Sequence, residues 1–181
     1  MEFIDNLRKK VGYFILSRRI RKQQRQRSYN NFDSAKTVGI IFNATQQEAY
    51  ITARNFMNLL TKQNIDVHAL GYVKNQEAIS YFPAQVGITF FSLKNLNWYY
   101  KPNNKAVDAF YEKPFDILID LSLDVYLQVL HVVGLSRAKL KIGHGDVDSP
   151  YYDFILKFQP EKTLTYYIEQ IRHYMSAIKK A

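Results

Sequence analysis

The chain has 181 residues, is 47% hydrophobic and 15% aromatic, and carries a formal net charge of +9. That is enough apolar sequence for the core of one ordinary domain with an appendage. It contains no cysteine, which excludes disulfides, thiolate nucleophiles, iron–sulfur clusters and cysteine-based zinc sites.

The charge is concentrated at the start. Nine basic and two acidic residues fall in the first thirty positions, so that segment holds +7 and the other 151 residues hold +2. Phe3, Leu7, Val11, Phe14 and Ile15 recur at spacings of three and four, which predicts a helix with these side chains on one face. Gly12 in its middle lowers the helix propensity. Beyond Leu16 the stretch SRRIRKQQRQR is almost purely basic and polar. Such an arm suits an anionic membrane surface, the phosphates of RNA or a protein partner. Arg18, Arg19, Arg21, Lys22, Arg25 and Arg27 are then the residues that meet the anionic partner. The plainer alternative docks the apolar face on the domain, or on a second copy in a homo-oligomer, and leaves the charges solvated.

The apolar run VGYFIL is only six residues long and is followed by basic residues. A secretory core needs about 7–15 apolar residues and a small-residue cleavage site. No stretch approaches the ~20 apolar residues of a membrane span. The expected location is cytoplasmic, with the inner membrane face as a peripheral option. Ser28 to Lys36 lacks periodicity and is rich in Asn, Asp and Ser, as linkers are. The expected organisation is a basic helical arm and linker over 1–34 and a domain over 35–181.

Strands and helices then alternate. TVGIIFN (37–43) is a β-branched apolar run suited to a buried strand. A helix over 46–63 follows, with Tyr50, Ala53, Phe56, Met57 and Leu60 at helical spacing. Further strands are predicted at 65–71, 86–91, 115–121, 138–142 and 153–158, with helices over 123–134 and 161–179. Residues 92–113 read as an irregular loop before a short helix, with Trp98-Tyr99-Tyr100 as a flap packed on the sheet edge. The alternation predicts an α/β, three-layer, Rossmann-like domain with a mostly parallel sheet of about five to six strands and a basic N-terminal helix before it.

In such a sheet, ligands bind beyond the carboxyl ends of the strands. This rule selects Asn43, Thr45 and Gln46 after the first strand, Asp120, Ser122 and Asp124 after the fourth, and His144, Asp146 and Asp148 after the fifth. Asn43-Ala44-Thr45 spells a glycosylation sequon, but no signal directs secretion. Thr45-Gln46-Gln47-Glu48 spells a capping box for the next helix, which would leave Asn43 and Gln46 to contact a ligand. The segment IGHGDVDSPYYD brackets His144 with two glycines and follows it with three acids. A divalent metal or general-base chemistry would use such residues, yet the spacing matches no zinc or calcium signature. His68 reads as structural, and His131 and His173 as surface or rim residues. The first strand is followed by FNATQQ, without a glycine fingerprint, and no Walker lysine loop, nucleophile elbow or HExxH motif occurs. No cofactor, metal or set of catalytic residues is assigned.

Two resemblances follow from these motifs. FDILIDLSLDVYLQVLHVVGLSRAKLKIG, 115–143, resembles the strand–helix–strand piece in the N-terminal domain of heptosyltransferase-type glycosyltransferases, which carry a similar D-L-V-I-D-L strand and a later A-R-x-R-I-G. Those enzymes need a second Rossmann-like domain for the sugar nucleotide, and 181 residues leave no room for one, so the resemblance implies fold alone. The basic helix, KTVGIIFNAT, FDILIDLS and the closing IEQIRHY together resemble a small uncharacterised bacterial family with a Rossmann-like domain. That family implies no mechanism.

The leading functional expectation is a non-catalytic binding or interaction protein that uses its arm. The alternative is a small-ligand-binding protein or enzyme, of nucleotide or sugar-phosphate type, with a crevice at the strand ends.

Overall fold

The computed structural model describes residues 2–145, 149–157 and 162–177. In chain order the elements are α1 (Glu2–Lys22), β1 (Thr37–Asn43), α2 (Gln47–Thr61), β2 (Asp66–Val73), β3 (Ile88–Ser92), α3 (Lys105–Glu112), β4 (Ile117–Asp120), α4 (Leu127–Leu135), β5 (Leu140–His144), β6 (Phe154–Leu156) and α5 (Leu164–Ala177). Short 3-10 helices flank β3 at Gln76–Tyr81 and Leu93–Asn95.

The six strands pair in parallel throughout, in the order β3-β2-β1-β4-β5-β6. The chain steps outward from β1 to β3, then returns to place β4 on the other side of β1. Strand order therefore reverses between β1 and β4, which opens a crevice at their carboxyl ends. The fold is α/β and Rossmann-like. Helices cover both faces, so β1 is buried from Val38 to Phe42 rather than alternating.

The two faces hold separate cores. Val38, Ile40 and Phe42 pack with Tyr50, Phe56 and Leu60 of α2 and Tyr167 and Ile171 of α5. Ile41 packs on the other face with Val107 and Phe110 of α3 and Val129, Val132 and Val133 of α4.

Outside this second face lies α1, packed along α4. The contact face is not the predicted one. Leu16 is fully buried with Leu127 and Leu130, and Ile20, Tyr100 and Leu135 close around them. Phe3, Leu7 and Phe14 are 79%, 49% and 65% exposed. The reason is close approach. A Cβ on Gly12 would stand 2.5 Å from the Tyr99 carbonyl oxygen and 2.7 Å from Leu127 Cδ2, and one on Gly134 would stand 2.7 Å from Ile20 Cδ1. The glycine that weakens α1 as an isolated helix is what lets it dock.

The Trp98-Tyr99-Tyr100 loop also serves α1 rather than the sheet edge. Arg8 donates from Nε to the Trp98 carbonyl at 2.5 Å, and its guanidinium lies 4.6 Å from the Tyr100 ring centre. The Tyr100 hydroxyl donates to Asp5. His131 is corrected as well: it sits on α4 beneath this loop with no exposed surface, its ring 6.2 Å from that of Tyr99.

Residues 23–36 are held down by hydrogen bonds. Gln23 Nε2 donates to the Leu135 carbonyl at 2.7 Å, covering the carbonyl end of α4. The Ser28 amide donates to Lys139 O at 3.2 Å. Asp116 accepts from the amides of Lys36 and Thr37 at 2.8 and 3.1 Å; against the upward push of burial, Lys139 and then these two amides hold its carboxyl below the usual range.

Candidate functional site

The order β1-β4-β5 brings three predicted loops side by side. Together they form a crevice with two lobes that share Asp124 and His144. The lobe toward α2 and α5 has a volume of about 550 Å³ and includes Asn43, Gln46, Glu48 and Thr163. The lobe toward α4 has a volume of about 780 Å³ and includes Asp120, Tyr126, Tyr151 and Tyr152. Thr45 and Ser122 line neither lobe, and Asp146 and Asp148 lie outside the described residues.

The turn after β1 differs from the predicted capping box. Asn43 Oδ1 accepts the Thr45 amide at 3.1 Å and the Thr45 hydroxyl at 2.8 Å. This Asx-type turn commits the Thr45 hydroxyl backward, toward the strand. The α2 cap falls on Gln46, which makes no side-chain capping bond. Asn43 is thus the anchor of the joint rather than a free ligand contact. Its Nδ2 donates to the Tyr126 hydroxyl at 3.0 Å, and Tyr126 in turn donates to Asp124 at 3.1 Å. This relay ties the β1 loop to the β4 loop across the switch point.

Asp120 ends β4 and is 2% exposed. Its Oδ1 accepts the Ser122 amide at 2.8 Å and its Oδ2 the Tyr152 hydroxyl at 2.6 Å. Burial pushes its carboxyl up, against the pull of those two donors and of His144. Burial and the Asp120 charge push the Tyr152 phenol far up. The pair is a closed latch between β4 and the segment before β6. His144 Nε2 meets the Ser122 carbonyl, and its ring stands edge-on to Tyr167 at 5.9 Å. Sequence reasoning missed Tyr126 and Tyr152. Their only sequence signal is a tyrosine near a strand-end loop, and the chain has 14 tyrosines.

The charge of the crevice limits its chemistry. Glu48, Asp120 and Asp124 supply carboxyl groups, and no lysine or arginine lines either lobe among the described residues. Glu48 stands in the first turn of α2, where a phosphate would otherwise be welcome. Among the described residues, no group of three or more His, Asp or Glu side chains is placed to hold a metal ion.

The basic residues of the arm divide in two. Arg18, Arg19, Arg21 and Lys22 are exposed on α1, and the Arg27 side chain is 73% exposed. Arg25 is not available to a partner at the surface. Its side chain is 8% exposed and forks onto Asp153.

These features describe an all-parallel Rossmann-like α/β protein with a basic helix docked on its outer face. The chain belongs to a family of unknown function, DUF6913, which it matches over residues 8–178. Among solved structures it is similar to E. coli heptosyltransferase WaaC with ADP. The two are 15% identical with a TM-score of 0.44, over 77% of this chain and 47% of that one, so the chain spans about half the length of that protein. No curated protein matches it. No described helix is long and apolar enough to cross a membrane.

Proposed function

We propose that this is a non-catalytic binding protein that seats the outward face of α1 on an anionic membrane surface. The observation that carries this reading is the partition of α1. At about 3.6 residues per turn, Asp5, Gly12 and Leu16 share the side turned to the domain. Phe3, Leu7, Lys10, Phe14, Arg18 and Arg21 share the opposite side, and all six are exposed. The stripe is apolar along its first half and basic along its second. Lys10, Arg18, Arg19, Arg21 and Lys22 have no ion-pair partner among the described residues.

A bilayer surface offers both halves of that stripe a counterpart. The acyl boundary receives Phe3, Leu7 and Phe14, and anionic headgroups attract each nearby cation by about 1 kcal/mol. Nucleic acid would satisfy the charges but leave much of the apolar half in water. The helix is already folded and docked, so binding does not have to order it. The test is vesicle flotation: binding to phosphatidylglycerol vesicles that weakens in salt and is absent on phosphatidylcholine supports the proposal. Equal flotation on both lipids would remove the role of charge.

A small ligand in the crevice is the second reading, supported by the meeting of Asn43, Asp124 and His144 at the switch point. The carboxylates there favour a neutral or cationic ligand over a nucleotide or sugar phosphate. Thermal-shift screening of polyols and amines, repeated on Asp124→Ala, tests it. A shift that Asp124→Ala retains would count against this site.

A further inference from the structure

A separate cavity of about 500 Å³ lies where the segment after α1 crosses β5, with Lys141, Gln24, Arg25, Gln26, Arg27 and Tyr151 among its walls. We infer that this cavity binds a phosphate group, with Lys141 and Arg27 as its cationic contacts.

Lys141 carries the argument. It is 4% exposed, and lysine is almost never buried without a charged partner. Its Nζ donates to one acceptor, the Gly134 carbonyl at 3.0 Å. An ammonium has three donors, so this bond accounts for one of them. A purely structural role would be to cap the carbonyl end of α4. Gln23 covers the neighbouring carbonyls of Leu135 and Ser136, at 2.7 and 3.3 Å, with a neutral amide. Capping the Gly134 carbonyl uses a single donor, so it leaves two of the three ammonium donors of Lys141 to account for.

The surrounding charges point the same way. Asp153 is the carboxylate of this cluster among the described residues, and both its oxygens are taken. Arg25 holds them at 2.5 and 2.8 Å, the Lys141 amide reaches Oδ2 at 2.9 Å, and Arg27 Nε stands 3.5 Å from Oδ1. Among the described residues three cationic side chains thus face one carboxylate, which is spent mainly on Arg25. Burial pulls the Lys141 amine down to about 7, with the Arg25 and Arg27 charges adding to it and Asp153 opposing. An oxyanion in the cavity would accept the remaining Lys141 donors and offset the repulsion among the cations. The volume exceeds that of a bare phosphate, and Tyr151 gives the cavity an aromatic wall, so an esterified phosphate fits better than the free ion. That ester could be a soluble phosphomonoester or a lipid headgroup.

The inference stands independently of the α1 stripe. Its test is calorimetric titration of the full chain with sulfate, inorganic phosphate and glycerol 3-phosphate, against chloride at matched ionic strength. Specific binding is expected, with proton uptake on sulfate binding, because sulfate does not titrate near neutrality and the Lys141 amine does. Lys141→Met should abolish binding and Arg27→Gln should weaken it several-fold. A Phe3→Ser/Phe14→Ser double variant should bind as the native chain does, which separates this site from the membrane reading. Vesicles with phosphatidic acid, compared with phosphatidylglycerol at equal surface charge, identify the source. A Lys141-dependent preference for phosphatidic acid assigns the headgroup, and Lys141-dependent binding of glycerol 3-phosphate alone assigns a soluble ester. If none of the anions and neither vesicle shows Lys141-dependent binding, the inference is overturned. If Lys141→Met does not fold, Arg27→Gln decides, and anion binding that this variant leaves unchanged overturns the inference.

Discussion

Arg25 forks onto Asp153, its two guanidinium nitrogens 2.8 and 2.5 Å from the two carboxylate oxygens. The same Arg25 nitrogen that meets Oδ2 also donates to the Ala138 carbonyl at 2.7 Å. One side chain thus joins the segment after α1 to the turn before β5 and the start of β6. Both side chains are under a tenth exposed. Removing one partner leaves the other charge buried without its main counter-ion, which typically costs about 3–5 kcal/mol. Asp153→Ala should lower stability by that order in urea unfolding, and Arg25→Ala by a similar amount.

The α1–α4 crossing depends on missing side chains. Gly12→Ala raises intrinsic helix propensity by up to ~1 kcal/mol. The new methyl group, however, would stand 2.5 Å from a backbone oxygen, and overpacking of that kind costs about 1–3 kcal/mol. The steric cost outweighs the propensity, so the variant should be less stable. Hydrogen exchange should show the loss in the amides of α1 and of the 97–101 loop, with the sheet unaffected.

His131 makes stability depend on acid. Burial pulls its imidazole down to about 4, with the Lys101 and Arg19 charges adding, against an opposing pull from the Tyr99 backbone. The unfolded chain keeps an ordinary value near 6.5. Between these values the unfolded state binds the proton more readily, so stability falls as pH drops from about 6.5 toward about 4. The full effect is on the order of 3 kcal/mol. His131→Leu should flatten that part of the stability curve.

Lys141 acts at the alkaline end. With its amine near 7 when folded and at the ordinary 10.5 when unfolded, the unfolded state again binds more protons between the two. Stability from this group therefore rises as pH climbs from about 7 to about 10. Lys141→Met should lack this rise, so its stability in urea unfolding should change less between about pH 7 and about pH 10 than that of the native chain.

Much of the sheet was legible because its strands are buried on both faces. Runs such as TVGIIF and ILID then need no alternation to be recognised. Features set by close approach or long-range contact were not legible. Gly12 looks like a defect in a helix until the Tyr99 carbonyl is placed against it. Phe3, Leu7 and Phe14 have the spacing of a core face yet remain in water, because the surface of α4 selects Leu16 instead. Thr45 and Glu48 satisfy the letter of a capping box, but Asn43 captures the Thr45 hydroxyl from two residues away. The crevice was located by topology alone. Its latch was hidden, because Asp120 and Tyr152 lie 32 residues apart in the chain.

The central claim is that α1 presents an apolar and basic stripe to an anionic membrane. The most direct measurement is flotation of the full chain on phosphatidylglycerol vesicles, compared with Phe3→Ser/Leu7→Ser/Phe14→Ser. These three side chains are 49–79% exposed, so the variant should keep its unfolding midpoint. Burying a large apolar side chain is worth about 1.5–3 kcal/mol, so losing three should reduce vesicle binding at least a hundredfold at constant charge. Binding by the triple variant equal to that of the native chain, or native binding to RNA but not to vesicles, would contradict the account.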